Sequence, residues 1–345
     1  MKIGDFDLNV KTFIIAELSA NHGQNLSTAI ETIKAAKRAG ANAIKFQTYT
    51  PDTLTIDCDN KYFTTVLKGS IWEGRTLYDL YKEAFTPWEW HKELFRIAHE
   101  EGLICFSTPF DKTSVDFLEQ LNPPAYKIAS FEIQDIPLVK YIASKGRPII
   151  ISTGIAELED IELAVNTCRE SGNNNIILLK CTSSYPAPID EANLATIPDL
   201  KKKFGVSVGL SDHTLGIVAP LVAVTLGARV IEKHFILDKS IGGPDASFSL
   251  DENAFTEMVK AIRQAEHSIG IVTYDLTDKV KASRKFSRSL FVVKDIIKGE
   301  PFTAENIRSI RPGYGLHPNY YYDVLGQKAK NALKRGTPLK LKDLE

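Results

Sequence analysis

Two histidines, His213 and His234, each close an apolar run with a carboxylate beside the ring: GLSDH ends at 213 and VIEKH at 234. Imidazole nitrogens are common donors to divalent transition ions, with carboxylate and water filling the other positions. If the two runs are neighbouring parallel strands, both rings emerge at one rim and share one metal ion. A pair of core histidines hydrogen-bonded to Asp212 and Glu232 is the alternative. Two imidazoles with no cysteine nearby do not suit a closed structural zinc site; they suit an open Lewis-acid site holding water or substrate.

Lys45 and Lys127 stand inside two further apolar runs, AIKFQT and AYKIAS. No carboxylate precedes either lysine in its own run, and an unpaired ammonium is costly to bury, so the pair implies a bound anion. Hydroxyls of Thr108, Ser130, Ser152 and Ser211 complete a phosphate and carboxylate cradle in this reading, and no Walker loop or GxGxxG is present for a nucleotide. A desolvated lysine acting as a Schiff-base nucleophile, as in a class I aldolase, is the rival chemistry.

The elements that must position these groups are eight β-branched runs: 12–17, 43–48, 103–108, 125–130, 148–153, 176–185, 206–213 and 229–235. Helical patterns alternate with them, for example over 27–39 before Gly40 and over 88–101 before Gly102. Eight such alternations predict a closed (β/α)8 TIM barrel, because continuous apolar strands need helices over their outer face. Polar residues collect at the C-terminal ends of the runs: Glu17, Lys45 and Gln47, Ser107 and Thr108, Lys127 and Ser130, Ser152 and Thr153, Thr182 and Ser183, Ser211 to His213, Glu232 and His234. In a barrel these ends share one rim, where such enzymes keep their chemistry. Turn-forming residues at strand ends account for Ser, Thr and Asp, but not for lysines inside apolar runs.

Residues 50–87 are too long for a simple connection and predict a folded insertion over the rim, aromatic enough to shape a pocket. After a helix at 251–269, the texture turns charged and polar over 271–286, which reads as a linker. Residues 287–345 read as a second, small domain near the lower limit for folding alone. The domains expected are therefore 1–270, the linker 271–286 and 287–345.

Composition excludes several classes. With 345 residues, 42 Lys and Arg against 43 Asp and Glu and a net charge of −1, the chain shows no basic footprint for nucleic acid. No apolar stretch near the start is long enough for a signal segment or membrane span, so a cytosolic protein is expected. The four cysteines, Cys58, Cys105, Cys168 and Cys181, show no CxxC spacing and are expected as reduced thiols.

The runs IIAELSANHGQN, AIKFQTYTPDTL, STPFD, KIASFE, ISTG, LKCTSSYP, GLSDHTLG, GARVIEKHF and GPD, in this order, resemble the sialic acid synthase family. The ending, SRSLFVVKDIIKGEPF through RPGYGL, is similar to that family's C-terminal antifreeze-like (SAF, β-clip) domain. Within the family, KIASFE, IWEGRTLYDLY and LKCTSSYP are most similar to pseudaminic acid synthases.

The resemblance implies a metal-dependent condensation of phosphoenolpyruvate with a 2,4-diacetamido-2,4,6-trideoxy hexose, giving a nine-carbon nonulosonic acid and phosphate. It places Mn2+ or Mg2+ on His213 and His234. It matches Lys45, Thr108, Lys127, Ser130, Ser152, Ser183, Tyr185 and Ser211 to the phosphoenolpyruvate pocket, and sets Glu17, Gln47, Glu132 and Asp245 around the reacting carbons. Arg311 matches a residue that crosses to the partner's barrel and recognises an acetamido group, which implies a domain-swapped homodimer. Glu17 either handles the proton of the attacking water or only orients it. A neuraminate or legionaminate synthase with the same chemistry, and a noncatalytic sugar-binding protein, are the competing functions. The antifreeze-like name transfers no ice binding.

Overall fold

The computed structural model of the chain describes residues 1–64 and 74–345. Residues 65–73, which hold the start of the IWEGRTLYDLY run, lie outside the described residues. The chain divides into two compact units, Met1–Gly270 and Ile271–Glu345.

A short antiparallel pair, β1 (Lys2–Ile3) and β2 (Phe6–Asp7), precedes eight parallel strands. These are β3 (Phe13–Glu17), β4 (Ala43–Thr48), β5 (Ile104–Pro109), β6 (Tyr126–Ile128), β7 (Ile149–Ser152), β8 (Ile176–Cys181), β9 (Ser207–Asp212) and β10 (Val230–His234). They close in chain order, with β10 pairing both β9 and β3, so the expected eight-stranded barrel is present. Two runs end two or more residues earlier than the sequence suggests. β6 stops at Ile128 because Ser130–Glu132 turns into a 3-10 helix, and β8 stops at Cys181.

The period-two alternation of a strand sorts its side chains between two layers. Ile14, Ile44, Phe46, Cys105, Tyr126, Ile151, Leu178, Leu210 and Ile231 pack outward against the helices. Phe13, Ile15, Ala43, Phe106, Ile150, Ile177, Leu179 and Val230 fill the interior, where Ile3 and Leu8 join the same cluster. Gly209 belongs to this packing, since a Cβ there would lie 2.2 Å from the Val230 carbonyl oxygen and 2.6 Å from Leu179. The covering helices begin at side-chain caps that the sequence supplies. Asn25 caps Leu26–Arg38, Asp111 caps Lys112–Glu119, and Asp251 caps Glu252–Ile269.

The described part of the 50–87 insertion is folded, with helices Pro51–Leu54 and Leu77–Ala84. No helix among the described residues is long and apolar enough to cross a membrane.

The second unit pairs β11 (Ser289–Val292) with β12 (Ile307–Ile310) over a small core of Leu290, Val292, Ile296, Phe302, Ile307, Val324, Ala329, Leu333 and Leu339. The segment 271–286, expected as a linker, carries local structure of its own. It contains a helix, Asp278–Ser283, followed by a 3-10 turn at Arg284–Phe286. Its end is built into the small unit because Gly313 N–H donates to the Lys285 carbonyl (2.9 Å) and packs so closely on Arg284 and Ser287 that a Cβ at 313 would collide with both.

Candidate active site

The last inward-facing positions of the strands are polar, and strand register brings them together. Glu17 is the cross-strand partner of both Lys45 and His234, Gln47 is that of Thr108, and Ser211 is that of both Glu232 and Cys181. The C-terminal mouth of the barrel therefore holds a continuous polar ring above the apolar cluster.

Two buried ion pairs organise this ring. Lys45 Nζ is paired with Glu17 and donates to Thr108 Oγ1 (3.1 Å). Lys127 Nζ donates to Ser152 Oγ (2.7 Å) and lies 3.7 Å from Glu232 Oε1, an oxygen that also accepts from Ser211 Oγ (3.1 Å). Carboxylate partners of both lysines stand on other strands, where the order of residues along one run does not reveal them, so burial of the lysines does not by itself require a bound anion. Glu232, noted at the rim but given no role, is a full member of the ring. Its position two residues before His234 on one strand face was the available signal.

Burial and neighbours displace the charges. Burial pushes Glu17 up to about 7, against the pull of Lys45 and with help from Glu232. Burial pushes Glu132 to about 7 as well and raises Asp245. Glu232 moves the other way, because Lys127 and Lys45 outweigh its burial. Lys127 is lowered, by burial before all else, whereas Lys45 is raised because Glu17 and Glu232 more than offset its desolvation.

The two imidazole rings meet at the same mouth with centroids 5.3 Å apart. His213 Nδ1 lies 3.1 Å from the Thr182 carbonyl oxygen, which can only accept. That bond assigns the proton to Nδ1 and leaves the Nε2 lone pair for a ligand. His234 Nδ1 is buried without a hydrogen-bond partner and lies 3.9 Å from Asp245 Oδ2. Among the described residues no three His, Cys, Asp or Glu side chains form a preassembled ligand cage. Two imidazoles and one carboxylate, with an orphaned ring nitrogen, fit an open site for a divalent ion.

The alternative of core histidines bonded to Asp212 and Glu232 is not what forms. Asp212 points away and pairs with Lys233 (2.5 Å), while Glu232 bonds Ser211. The expectation of no cysteine nearby also fails, since Cys181 Sγ lies 3.7 Å from His213 Nδ1. Burial pushes the Cys181 thiol up, but His213 outweighs it and brings it down to about 7. No cysteine spacing could reveal this contact, which arises from β8 lying beside β9.

The remaining expected residues gather around these groups. Gln47 Nε2 donates to Ser19 Oγ (2.9 Å) and to Glu17 Oε1 (3.3 Å). Ser130 Oγ accepts from Gly154 N–H (3.0 Å), and a Cβ at Gly154 would fall 2.1 Å from Ser183 Oγ, so only glycine leaves that hydroxyl in place. The Tyr185 ring lies 4.5 Å from that of His213. Ser107 and Thr153 are not in the ring: Ser107 bonds Thr48 on the helix side (2.6 Å), and Thr153 Oγ1 donates to the Leu179 carbonyl (3.1 Å). Arg311 belongs to the second unit, just past β12, and is exposed.

A cavity of about 350 Å³ opens at the mouth. Gln47, Glu132, Tyr185, His234 and Asp245 line one set of positions, and Tyr49, Leu54, Leu77, Leu80, Tyr81 and Phe110 another. Leu54 and the helix Leu77–Ala84 come from the insertion, as its aromatic and apolar texture leads one to expect. Ser19 and Tyr49 were not foreseen. Ser19 sits just past β3 with φ of +47°, a backbone state that no residue type at that position signals.

The NeuB family profile matches residues 32–274, and a SAF domain profile matches 287–345. The chain is 52% identical to a pseudaminic acid synthase of Campylobacter jejuni, covering 100% of both chains. It is 48% identical to a pseudaminic acid synthase of Helicobacter pylori, over 96% of this chain and 97% of that one. Among solved structures, an N-acetylneuraminic acid synthetase from Leptospira borgpetersenii in complex with citrate matches with a TM-score of 0.73 and 31% identity. The match covers 82% of this chain and 94% of that one.

Proposed function

We infer that this chain, which belongs to the NeuB family, is a phosphoenolpyruvate-dependent nonulosonic acid synthase that makes pseudaminic acid. Phosphoenolpyruvate C3 bonds to the aldehyde C1 of open-chain 2,4-diacetamido-2,4,6-trideoxy-L-altrose, and water oxygen bonds to C2. The C2–O bond to phosphate breaks, so three and six carbons give the nine-carbon acid plus inorganic phosphate. The observation that carries this reading is the meeting of two imidazoles, 5.3 Å apart, with two lysine–carboxylate pairs at one barrel mouth.

His213 and His234, with Asp245 beside them, would hold Mn2+ or Mg2+. When bound, that ion supplies Lewis-acid polarisation of the sugar carbonyl. The chain's own groups do the rest. Lys127, Ser152, Ser130 and Ser183, together with Lys45 and Thr108, receive the carboxylate and phosphate of the donor as hydrogen-bond and charge partners. Because burial holds Glu17 near 7, its carboxylate form suits it to accept the proton of the attacking water, with Gln47 fixing its orientation. Ser211 holds Glu232 on Lys127, and the Tyr185 ring packs beside His213. Glu132 flanks the sugar in the cavity. Four free cysteines suit a reducing, cytosolic compartment. Arg311 of one protomer contributes to the sugar site of its partner in a homodimer.

The test is product identification. Purified protein with phosphoenolpyruvate, Mn2+ and the L-altro sugar releases phosphate and yields a nine-carbon acid of the expected mass, and chelation stops it. Turnover of N-acetylmannosamine in place of that sugar overturns the acceptor assignment. For the dimer, Arg311→Ala raises KM for the sugar about ten-fold at unchanged KM for phosphoenolpyruvate; a fully active monomer on gel filtration refutes it.

A further inference from the structure

Helix Leu77–Ala84 presents Leu77, Leu80, Tyr81 and Ala84 to the cavity, a spacing of one helical face, while Tyr78, Asp79, Lys82 and Glu83 occupy the rest of its surface. The apolar face continues inward through rings: Tyr81 lies 5.8 Å from Tyr49, and Tyr49 lies 5.0 Å from Phe110. The helix is built in at both ends. Thr76 Oγ1 caps its start by accepting from Asp79 N–H (3.1 Å). At its end the Gln24 amide donates to the Glu83 and Phe85 carbonyls (2.9 and 2.6 Å), tying it to the loop after β3.

An acceptor that reacts at C1 must bring that carbon to the imidazole and carboxylate groups, which leaves its far end for the remaining lining. A hydroxyl seated against Leu54, Leu77 and Leu80, whose side chains offer no donor or acceptor, would lose water without gaining a partner, whereas a methyl fits. We propose that this apolar wall is the specificity element of the acceptor site, seating the C6 methyl of a 6-deoxy sugar and disfavouring 6-hydroxy sugars. The proposal rests on the acceptor class inferred above. Hydrophobic pockets reject an added hydroxyl only partially, so the expected preference is about 10- to 100-fold in kcat/KM.

The experiment compares the 6-deoxy acceptor with its 6-hydroxy counterpart of the same stereochemistry, reading phosphate release. Wild type favours the deoxy sugar by that factor, and Leu77→Gln or Leu80→Asn lowers the ratio roughly five-fold or more on the same scale of discrimination. Equal kcat/KM values in wild type overturn the proposal, a result that needs no variant to fold. A folded variant that keeps the wild-type ratio also overturns it. Wild type that turns over neither sugar instead removes the acceptor class itself, a distinguishable outcome.

Discussion

The two halves of the barrel interior are built from the same strands and the same alternation, yet they enclose opposite chemistry. Phe13 and Ile15 lead up to Glu17 on β3, Ala43 leads to Lys45 on β4, and Val230 leads to Glu232 and His234 on β10. Below, burial of apolar surface stabilises the fold without directional demands. Above, every ion loses water and recovers only part of that loss from its partner. The contrast teaches that the ring of charges is tolerated because the layer beneath it and the outer layer under the helices hold the strands in register.

Substitutions on the two sides should therefore fail in different ways. The largest effect is expected at the mouth: His234→Ala lowers kcat/KM by about a thousand-fold or more while thermal melting stays close to wild type, because transition-state stabilisation is lost and the strands are not. Melting that collapses with activity would erase the distinction. Below, Phe106→Ala opens a cavity in the interior cluster and costs about 4 kcal/mol in chemical denaturation, with activity per folded molecule retained.

A third test uses pH. Glu132 has its folded pKa raised to about 7 from 4.5 by burial, so its contribution to stability is full below pH 4.5 and is lost as pH rises through 7. Unfolding free energy of the wild type, relative to Glu132→Gln, should fall over that window by up to roughly 3 kcal/mol. A flat difference would show that the mouth does not desolvate this carboxyl. The smallest effect is at Ser211→Ala, which releases Glu232 from its hydroxyl partner and is expected to cost about ten-fold in kcat/KM, with the loss in KM for phosphoenolpyruvate rather than in kcat.

Much of this contrast was visible in the runs themselves. Strand and helix periods differ enough that eight alternations predict a barrel, and polar residues confined to strand ends point to one rim. The partners of the lysines were not visible. Glu17 meets Lys45 and Glu232 approaches Lys127 only because closure sets β3 beside β4 and brings β10 round to face β6. The same closure put Cys181 beside His213 and turned Asp212 away onto Lys233.

The order of residue types along the chain determined the barrel, the small second unit and the candidate donors, because periodicity and strand-end polarity are local properties that survive in one dimension. Which carboxylate neutralises which ammonium, which face of a strand a serine takes, and how an insertion helix completes a cavity were decided by the tertiary structure. Those outcomes depend on register and through-space distance, and electrostatic and packing energies at a few ångströms are indifferent to separation along the chain.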